Sequence, residues 1–327
     1  MILVFNYHYV RKSYNYSFNG INGVTINNFV KHINYLLMNS NIISPIQIID
    51  DKANELFLNN EINVLITFDD GLNEQFTNCL PILEKKKIKP IFFINTAPIY
   101  KKIFCKVHIL HYLLANNEHN SILELVEKNI HKLNIKYKIE PTNSNLDKAY
   151  KYGDYNYKKI KFIFNYGLSN DEADIIIKKL QKFYLDDNFV NYFNNLYLDQ
   201  NKLKYLLNNG MLGGHGHNHI NLGLSSSKEV DYDLQQFSKI IKKNLNAKLN
   251  YFSYPYGTQY SFNSSVIGKL KKNGFRFSFT VERAYNDNPF KKMYLSRFDG
   301  NDLDLLISKK INLKEIQKFY KSTNWKP

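Results

Sequence analysis

Residues 65–73 read LITFDDGLN, an apolar run that ends in two adjacent carboxylates, Asp69 and Asp70. The run is β-branched and aromatic, which predicts a buried strand. In β/α barrels the active site is built at the carboxyl ends of the strands, so acids at this position suggest chemistry. Adjacent like charges raise each other's pKa, and we therefore expect a nearby cation or a shared proton. A plain Asp-Gly turn is the alternative that this stretch alone leaves open.

Similar short runs recur along the chain and alternate with amphipathic helical patterns. The alternation predicts a parallel β/α architecture. The predicted strands are residues 2–8, 62–68, 89–95, 251–255 and 275–281. The helical patterns between them cover 26–39, 72–87, 228–245 and 263–273, the last closed by Gly274.

The middle of the chain lacks strand-like alternation. Its helical patterns are 109–114, 121–133, 171–184 and 200–208, with residues 140–145 as its most loop-like point. The third pattern is preceded by Ser169 with Glu172 three residues later, which predicts a capping box. We interpret 101–209 as a mainly helical insertion, packed on or beside one barrel domain made of residues 1–100 and 210–327.

The composition limits the classes of protein that the chain could be. With 327 residues and 44% hydrophobic content, the chain is long enough to bury one large core or two modest ones. The formal net charge of +15 is mostly lysine and is spread along the whole sequence. We interpret it as a solvated basic surface and expect no specific nucleic-acid partner, while an acidic glycan or an anionic lipid surface stays open.

The sequence also bears on cellular location. No apolar run approaches the roughly 20 residues that a membrane-spanning helix needs, although peripheral membrane contact stays open. The apolar first ten residues are interrupted at Asn6 and follow no basic segment, which favours a buried strand over a secretory signal. Only Cys79 and Cys105 are present, too few for a disulfide framework. We therefore expect a cytoplasmic protein.

Residues 211–222, MLGGHGHNHINL, place His215, His217 and His219 in a glycine-rich run. Neutral imidazole is a frequent ligand of zinc and similar ions, and catalytic sites often have three protein ligands with an open position. The glycines argue against a regular helix and for a tight loop, in which His215 and His219 could converge on one ion. Two histidines and one aspartate around a metal suit hydrolysis.

Three segments together resemble a known family. TFDDG (67–71), GGHGHNHINL (213–222) and FSYPYG (252–257) resemble the first three motifs of the polysaccharide deacetylase family, also called the NodB-homology or carbohydrate esterase family 4 domain. YHYV near the start and YLSRFDGNDL (294–303) are similar to the branch that works on surface polysaccharides. The resemblance covers residues 1–100 and 200–303 well and the segment between them weakly.

This resemblance implies a fold and an activity. The fold is a distorted (β/α)7 barrel, here with the helical insertion. The activity is metal-dependent removal of an N- or O-acetyl group from a sugar of a capsule, a lipopolysaccharide O-chain or a precursor of either, so the expected partner is an acetylated sugar. A catalytically inactive carbohydrate-binding protein with the same fold is the alternative.

The resemblance also implies roles for individual residues. Asp70, His215 and His219 would hold a divalent metal, zinc in the first place, with nickel, cobalt or manganese as alternatives. The metal would activate a water, and Asp69 would act as the general base that takes its proton. Tyr256 would line the pocket, and its backbone N–H would help to stabilise the oxyanion.

Two departures from the family pattern need substitutes. Many members carry an arginine in the third motif that orients the base, but Ser253 stands here. We hypothesise that Arg297 supplies the guanidinium from another strand, since arginine can grip a carboxylate with two hydrogen bonds. The late histidine that protonates the leaving group is also missing. His8 could replace it, and a buried barrel histidine is the alternative reading of that residue.

Three other histidines are expected to lie outside the chemistry. His217 lies between the two proposed ligands, and we expect it to face solvent or substrate. His108 and His111 are three residues apart on a helical pattern of the insertion, and we interpret both as packing or rim residues rather than ligands.

Overall fold

A computed structural model describes residues 1–49, 53–150 and 153–323. Most strands in these ranges belong to one parallel sheet. The strands are β1 (Ile2–Tyr7), β2 (Val10–Arg11), β3 (Val24–Thr25), β4 (Asn41–Ile42), β5 (Asn63–Phe68), β6 (Ile91–Ile94), β7 (Leu212–Gly214), β8 (Tyr251–Ser253), β9 (Phe277–Phe279) and β10 (Phe298–Asp299).

The helices surround the sheet and also fill the middle of the chain. Before the middle region they are α1 (Ile26–Asn39), α2 (Ala53–Leu58), α3 (Leu80–Glu84) and α4 (Thr96–Lys101). The middle region holds α5 (Lys106–Asn116), α6 (His119–Lys132), α7 (Asn143–Ala149), α8 (Tyr155–Phe162), α9 (Asn170–Tyr184), α10 (Asn188–Asn194) and α11 (Gln200–Asn208). After it come α12 (Ser227–Leu245), α13 (Ser264–Lys272) and α14 (Gly300–Ser308). None of the helices in the described ranges is both long enough and apolar enough to span a bilayer.

The sheet forms the distorted (β/α)7 barrel that the resemblance implies. Seven of the eight strands of the sheet lie in the order β10, β1, β5, β6, β7, β8, β9, and every pairing along this path is parallel. A parallel bridge from Phe279 to Leu295 connects β9 to the segment that leads into β10, which brings the two edges together. The distortion is visible at β5, whose start pairs with β4 and whose end pairs with β6.

Strand alternation determines which side chains enter the barrel. Ile2 and Val4 of β1 pack with Leu65 of β5 in an inner apolar cluster. Leu3 and Phe5 pack outward, in the cluster shared with the helices. Because side chains alternate between the two faces of a strand, the residues that continue the inner series lie above this apolar plug, at the carboxyl ends of the strands. The interior of the barrel is therefore filled with apolar side chains near the amino ends of the strands and is polar at their carboxyl ends.

The middle region packs around a second apolar cluster. Leu113 of α5, Val126 of α6 and Ile176 of α9 are buried in this cluster, which Tyr9 and Leu72 from the first hundred residues join. The capping box predicted for Ser169 and Glu172 is confirmed at the start of α9. The barrel and insertion boundaries given above stay a prediction, because packing alone does not fix where a domain begins.

Two predicted elements differ from the structure. The helix expected over 72–87 is present at residues 73–84, but its middle, Gln75–Cys79, is a π-helical turn that leads directly into α3. Pro81 explains the wider turn, because it has no N–H and its ring clashes with the preceding turn of a regular α-helix. The loop expected at 140–145 is wrong in its second half, since α7 begins at Asn143 and is capped by the Thr142 side chain.

Candidate active site

The residues singled out by the motifs meet at the carboxyl ends of the parallel strands. Asp69 and Asp70 directly follow β5, and the histidine-rich loop 215–219 follows β7. Ser253 is the last residue of β8, and Arg297 directly precedes β10. This is the end of a β/α barrel where loops from different strands can converge on a ligand.

Asp70, His215 and His219 form a buried group. Asp70 Oδ1 lies 3.4 Å from Nε2 of each histidine. One potential ligand atom from each residue lies within 4.8 Å of the other two. His215 Nδ1 donates to the carbonyl oxygen of Ser253 at 2.7 Å, which fixes the ring and directs Nε2 toward the carboxylate; in the neutral ring this Nε2 carries a lone pair.

The chemistry of these donors fits a divalent cation. Asp70 Oδ1 is buried and has no hydrogen-bond partner among the described residues. A buried carboxylate oxygen that faces an imidazole lone pair is unfavourable unless a positive charge lies between them. Two imidazoles and one carboxylate are the donor types and the number found in catalytic zinc sites. The three residues could therefore hold such an ion.

The backbone is strained where this group is built. Asp70, His219 and Tyr256 have φ angles of 76°, 55° and 64°, in the left-handed region that side chains rarely adopt. The five other such non-glycine residues in the described ranges follow helix ends, where this conformation is common. Strained residues away from helix ends tend to cluster at functional sites, because packing elsewhere holds them in place.

Asp69 lies in a different set of contacts. Nη1 and Nη2 of Arg297 donate to Asp69 Oδ1 and Oδ2 at 2.9 and 2.7 Å, a bidentate pair with both residues buried. Asn6 Nδ2 and Ser253 Oγ also donate to Oδ2, at 3.0 and 3.1 Å. Burial alone would raise the pKa of Asp69, but the charge and hydrogen bonds of the Arg297 guanidinium, together with the neighbouring His215 and His8, lower it to about 2.

Arg297 reaches Asp69 from the segment before β10, and Ser253 stands where the resemblance expects an arginine. The Ser253 hydroxyl accepts from Arg297 Nη2 at 2.8 Å, so the small side chain leaves room for the guanidinium and bonds to it. Arg297 Nε donates to the Thr280 carbonyl at 2.7 Å, and Nη1 also donates to Thr67 Oγ1 at 3.2 Å. These contacts hold the planar group in one orientation.

The two remaining predicted site residues border the same space. His8 Nε2 lies 3.8 Å from Asp69 Oδ2, and its side chain is 36% exposed. The alternative that His8 is a buried barrel histidine is therefore wrong. The Tyr256 ring packs edge-on against the His219 ring, with centroids 4.8 Å apart. The part of each residue in catalysis stays a prediction.

One expectation about the other histidines is wrong, and a second is confirmed only in part. His217 faces neither solvent nor substrate: it is buried, and its Nδ1 lies 2.8 Å from Thr96 Oγ1 at the start of α4. His108 is more than a packing or rim residue, because its Nε2 lies 3.0 Å from Asp70 Oδ2. His111 borders the cavity as a rim residue would, and its Nδ1 contacts the Tyr9 hydroxyl at 3.2 Å.

Sequence reasoning missed two other supporting residues. Asn6 is a buried amide in an otherwise apolar strand, a signal that could have revealed it. Asp233, on α12, accepts the N–H groups of His217 and Asn218 at 2.7 and 2.8 Å. A Cβ at Gly216 would lie 2.7 Å from the Asp233 carboxylate, so this turn requires glycine. Burial raises the pKa of Asp233 to about 6.

A cavity of about 230 Å³ opens above the two aspartates. The middle region forms part of its wall, through Tyr150, Lys161 and Tyr166. A second cavity, of about 700 Å³, shares Tyr166 and Arg283 with the first and so adjoins it. The site therefore has a small polar pocket with a larger space next to it.

Comparisons with solved structures identify proteins that have the same fold. Three solved structures match over nearly the whole chain and share the fold. IcaB from Ammonifex degensii has a TM-score of 0.52 and 15% identity, with 94% of this chain and 95% of that chain covered. A de-N-acetylase from Aggregatibacter actinomycetemcomitans has a TM-score of 0.51, 15% identity and coverage of 91% and 95%. The deacetylase PplD from Streptococcus pyogenes, solved with acetate, has a TM-score of 0.50, 13% identity and coverage of 91% of each chain.

Sequence comparison assigns the family. No curated protein matches the chain in sequence. The family model described as polysaccharide deacetylase matches residues 59–185 and 158–278, which include both the Asp69–Asp70 pair and the histidine-rich loop. Because these matches span more than half of the sequence, the chain belongs to the polysaccharide deacetylase family.

Proposed function

We propose that the protein is a metal-dependent hydrolase that removes an N- or O-acetyl group from a sugar of a surface polysaccharide or of its precursor. The observation that carries the proposal is the buried group of Asp70, His215 and His219 beside the Asp69–Arg297 pair. One half of this site offers ligands for a divalent ion, and the other offers a carboxylate held in place as a base. Family membership supports the same reaction.

Asp70, His215 and His219 would hold the ion, zinc in the first place. When bound, such an ion supplies Lewis acidity, which lowers the pKa of water and polarises an acyl carbonyl. Asp69 would take the proton from the attacking water. Its pKa of about 2 keeps the carboxylate ionised at neutral pH, which is the state that a general base must have before it can accept a proton.

The contacts of Asp69 indicate which oxygen would take the proton. Oδ2 accepts from Asn6, Ser253 and Arg297, whereas Oδ1 accepts only from Arg297 among the described residues. An ionised carboxylate oxygen has two lone pairs, so Oδ1 keeps one free. The bidentate arginine prevents the carboxylate from turning, which keeps that lone pair in one direction.

Two further residues would complete the reaction. The backbone N–H of Tyr256 would stabilise the oxyanion that forms when the water oxygen adds to the acyl carbon. His8 would donate a proton to the amine or hydroxyl of the sugar as its bond to the acyl carbon breaks. Acetate and the deacetylated sugar are the products. The position of His8, 3.8 Å from Asp69 and partly exposed, supports a role at the pocket opening.

The cavities and the neighbouring structures support a carbohydrate substrate. A pocket of about 230 Å³ suits a small group such as an acetylated sugar ring, and the adjoining space of about 700 Å³ lies within the roughly 300–1,000 Å³ typical of ligand pockets. Tyr166, Tyr260 and Phe319 present aromatic side chains there. The named activities of the neighbours, a deacetylase solved with acetate and a de-N-acetylase, support acetyl as the group removed.

The test combines elemental analysis with acetate release. Purified full-length protein is analysed for bound metal and then assayed on N-acetylated and O-acetylated oligosaccharides. We expect about one divalent ion per chain and acetate release that Asp69→Asn abolishes. Asp304→Asn is the matched control, because Asp304 pairs with His32 away from the site and its loss should leave turnover unchanged.

The possible outcomes separate the readings. Release of acetate by the wild type but not by Asp69→Asn supports the proposal. Binding of oligosaccharide without any release would favour the inactive carbohydrate-binding protein. Protein that takes up no ion, even after incubation with zinc, would contradict the proposed ligand set.

A further inference from the structure

His108 contacts the proposed metal site although it belongs to the helical middle region. It lies on α5 and is completely buried. Its Nε2 lies 3.0 Å from Asp70 Oδ2, and its Nδ1 lies 2.6 Å from the hydroxyl of Tyr197. One imidazole therefore connects a barrel carboxylate to a tyrosine that follows α10.

The neighbouring groups favour one direction for these hydrogen bonds. The Cys105 backbone N–H donates to the Tyr197 hydroxyl oxygen at 3.2 Å, so the tyrosine keeps its own proton to donate. If Tyr197 donates to His108 Nδ1, a neutral His108 carries its proton on Nε2 and donates to the Asp70 carboxylate. The opposite neutral tautomer would place a lone pair against a carboxylate oxygen, so the first arrangement is the favourable one.

Tyr197 is itself held next to Asp70 by the backbone. An antiparallel bridge joins Tyr197 to Leu72. On either side of it, the N–H of Leu198 donates to the Gly71 carbonyl at 2.9 Å, and the N–H of Asn73 donates to the Leu196 carbonyl at 2.7 Å. The segment 196–198 is thus paired with the segment 71–73 that directly follows Asp70. This pairing keeps Tyr197 close to Asp70, with which it is connected through His108.

The two oxygens of Asp70 consequently have separate tasks. Oδ2 accepts from His108, while Oδ1 faces His215 and His219 at 3.4 Å and has no other partner among the described residues. The backbone at Asp70 is in the left-handed region, so its rotamer is not fixed by a regular strand. The hydrogen bond to Oδ2 therefore restricts the directions in which Oδ1 can point.

We propose that His108, oriented by Tyr197, is a positioning residue that holds the Asp70 carboxylate in the ion-binding orientation, which makes the helical region part of the metal site. The inference rests on the proposed function, because it assumes the ligand set given above. Residues that hold metal ligands from outside the coordination sphere commonly change metal affinity by 10- to 100-fold when they are replaced.

The test measures zinc affinity by calorimetric titration of the metal-free, full-length protein. His108→Leu should weaken zinc binding by roughly 10- to 100-fold. His108→Gln should recover part of the loss, because the glutamine amide can donate from near the position of Nε2. Tyr197→Phe removes only the hydroxyl and should weaken zinc binding less than His108→Leu does. If His108→Leu does not fold, Tyr197→Phe is the variant that tests the proposal.

The chain offers a matched control for each variant. His32 is also completely buried, with Nε2 2.9 Å from Asp304 and Nδ1 3.3 Å from the Tyr7 hydroxyl. This tyrosine, histidine and aspartate repeat the contacts of Tyr197, His108 and Asp70 away from the metal site. His32→Leu and Tyr7→Phe should therefore cost similar stability but leave zinc affinity unchanged.

The outcomes distinguish this inference from the proposed function. Equal zinc affinity in His108→Leu and His32→Leu would overturn the positioning role. A cobalt-loaded protein whose absorption bands change in His108→Gln without recovery of affinity would make His108 a ligand and overturn it as well. Wild type that binds zinc but releases no acetate would defeat the proposed function alone. Wild type that binds no zinc would defeat both.

Discussion

Asp69 and Asp70 are adjacent in the chain, yet they lie in two differently built halves of the site. Asp69 is surrounded by fixed N–H and O–H donors, from Arg297, Asn6 and Ser253. Asp70 is surrounded by three imidazoles, one of which donates to it while two face it with Nε2. No hydrogen-bond donor in the described ranges serves both carboxylates.

The difference shows how one strand end can carry two acids with separate functions. The left-handed backbone at Asp70 turns the chain, so the second carboxylate does not share the surroundings of the first. The half around Asp69 is electrostatically complete without any ligand, because a guanidinium neutralises the carboxylate. The half around Asp70 has one carboxylate oxygen without a hydrogen-bond partner among the described residues, and a cation could satisfy it. The two halves should therefore respond differently to the same kinds of change.

The largest expected effect distinguishes the proposed base, Asp69, from the proposed metal ligands. Asp70→Ala and His219→Ala should each abolish stoichiometric metal binding and with it acetate release. Asp69→Asn should retain the ion and still lose turnover, on the order of 10²- to 10⁴-fold, the usual contribution of a general base. Metal content and acetate release are measured on the same preparations. Full metal occupancy in both ligand variants would refute the division into two halves.

The next effect concerns stability in the half around Asp69. Arg297→Ala leaves a buried, unpaired carboxylate, and removing one partner of a buried ion pair costs about 3–5 kcal/mol. Urea denaturation should show this loss in the free energy of unfolding. Arg297→Lys keeps the charge but not the two parallel hydrogen bonds, so its loss should be smaller. A loss below about 1 kcal/mol in the alanine variant would mean that the pair is not a main support of Asp69.

Acid should act on the stability of the protein through His217 of the histidine-rich loop. Burial lowers the pKa of His217 from 6.5 to about 4, so the folded protein resists a proton that the unfolded chain accepts. The contribution of His217 to the free energy of unfolding should therefore fall as the pH drops from 6.5 to 4 and stay constant below that, while Asp233, whose pKa burial raises to about 6, contributes in the opposite direction below pH 6. The full effect of His217 is about 3 kcal/mol, since one pKa unit corresponds to about 1.4 kcal/mol. Asp69, with a pKa of about 2, stays ionised throughout this range.

His217→Asn isolates this contribution. The asparagine amide can still contact Thr96 but does not titrate, so the fall between pH 6.5 and 4 should be smaller in the variant than in the wild type. Unfolding is followed in chelator, so that loss of a bound ion does not contribute. Parallel pH profiles of the two proteins would show that His217 is not the titrating group.

The sequence predicts those parts of the fold and site that depend on a short segment. The strand before Asp69, the histidine pair in a glycine-rich loop and the capping box at Ser169 each lie within a few residues. β7 was missed because its residues, Leu212–Gly214, have little strand propensity. It is a strand because β6 and β8 pair with it on both sides, and a Cβ at Gly213 would lie 2.5 Å from the Phe93 ring.

Contacts between distant segments could not be derived in the same way. Helical periodicity assigns His108 to a face of a helix but does not say which segment that face meets. Its contact with Asp70 joins residues 38 apart, and its contact with Tyr197 joins residues 89 apart. The spacing of His217 in its motif likewise does not predict that it contacts Thr96. Such partners follow from the way the middle region folds back on the barrel, which local pattern does not determine.

The smallest expected effect tests the contact between the two halves. Ser253 belongs to both, because its hydroxyl bonds to Asp69 and Arg297 while its carbonyl oxygen accepts from His215. Ser253→Ala removes only the hydroxyl, and the lost hydrogen bonds to charged groups should cost about 1.5 kcal/mol in the free energy of unfolding. Turnover should fall because Asp69 is held less firmly. Zinc affinity should stay unchanged, since the carbonyl that orients His215 remains, and a parallel loss of zinc affinity would mean that the two halves are coupled through this side chain.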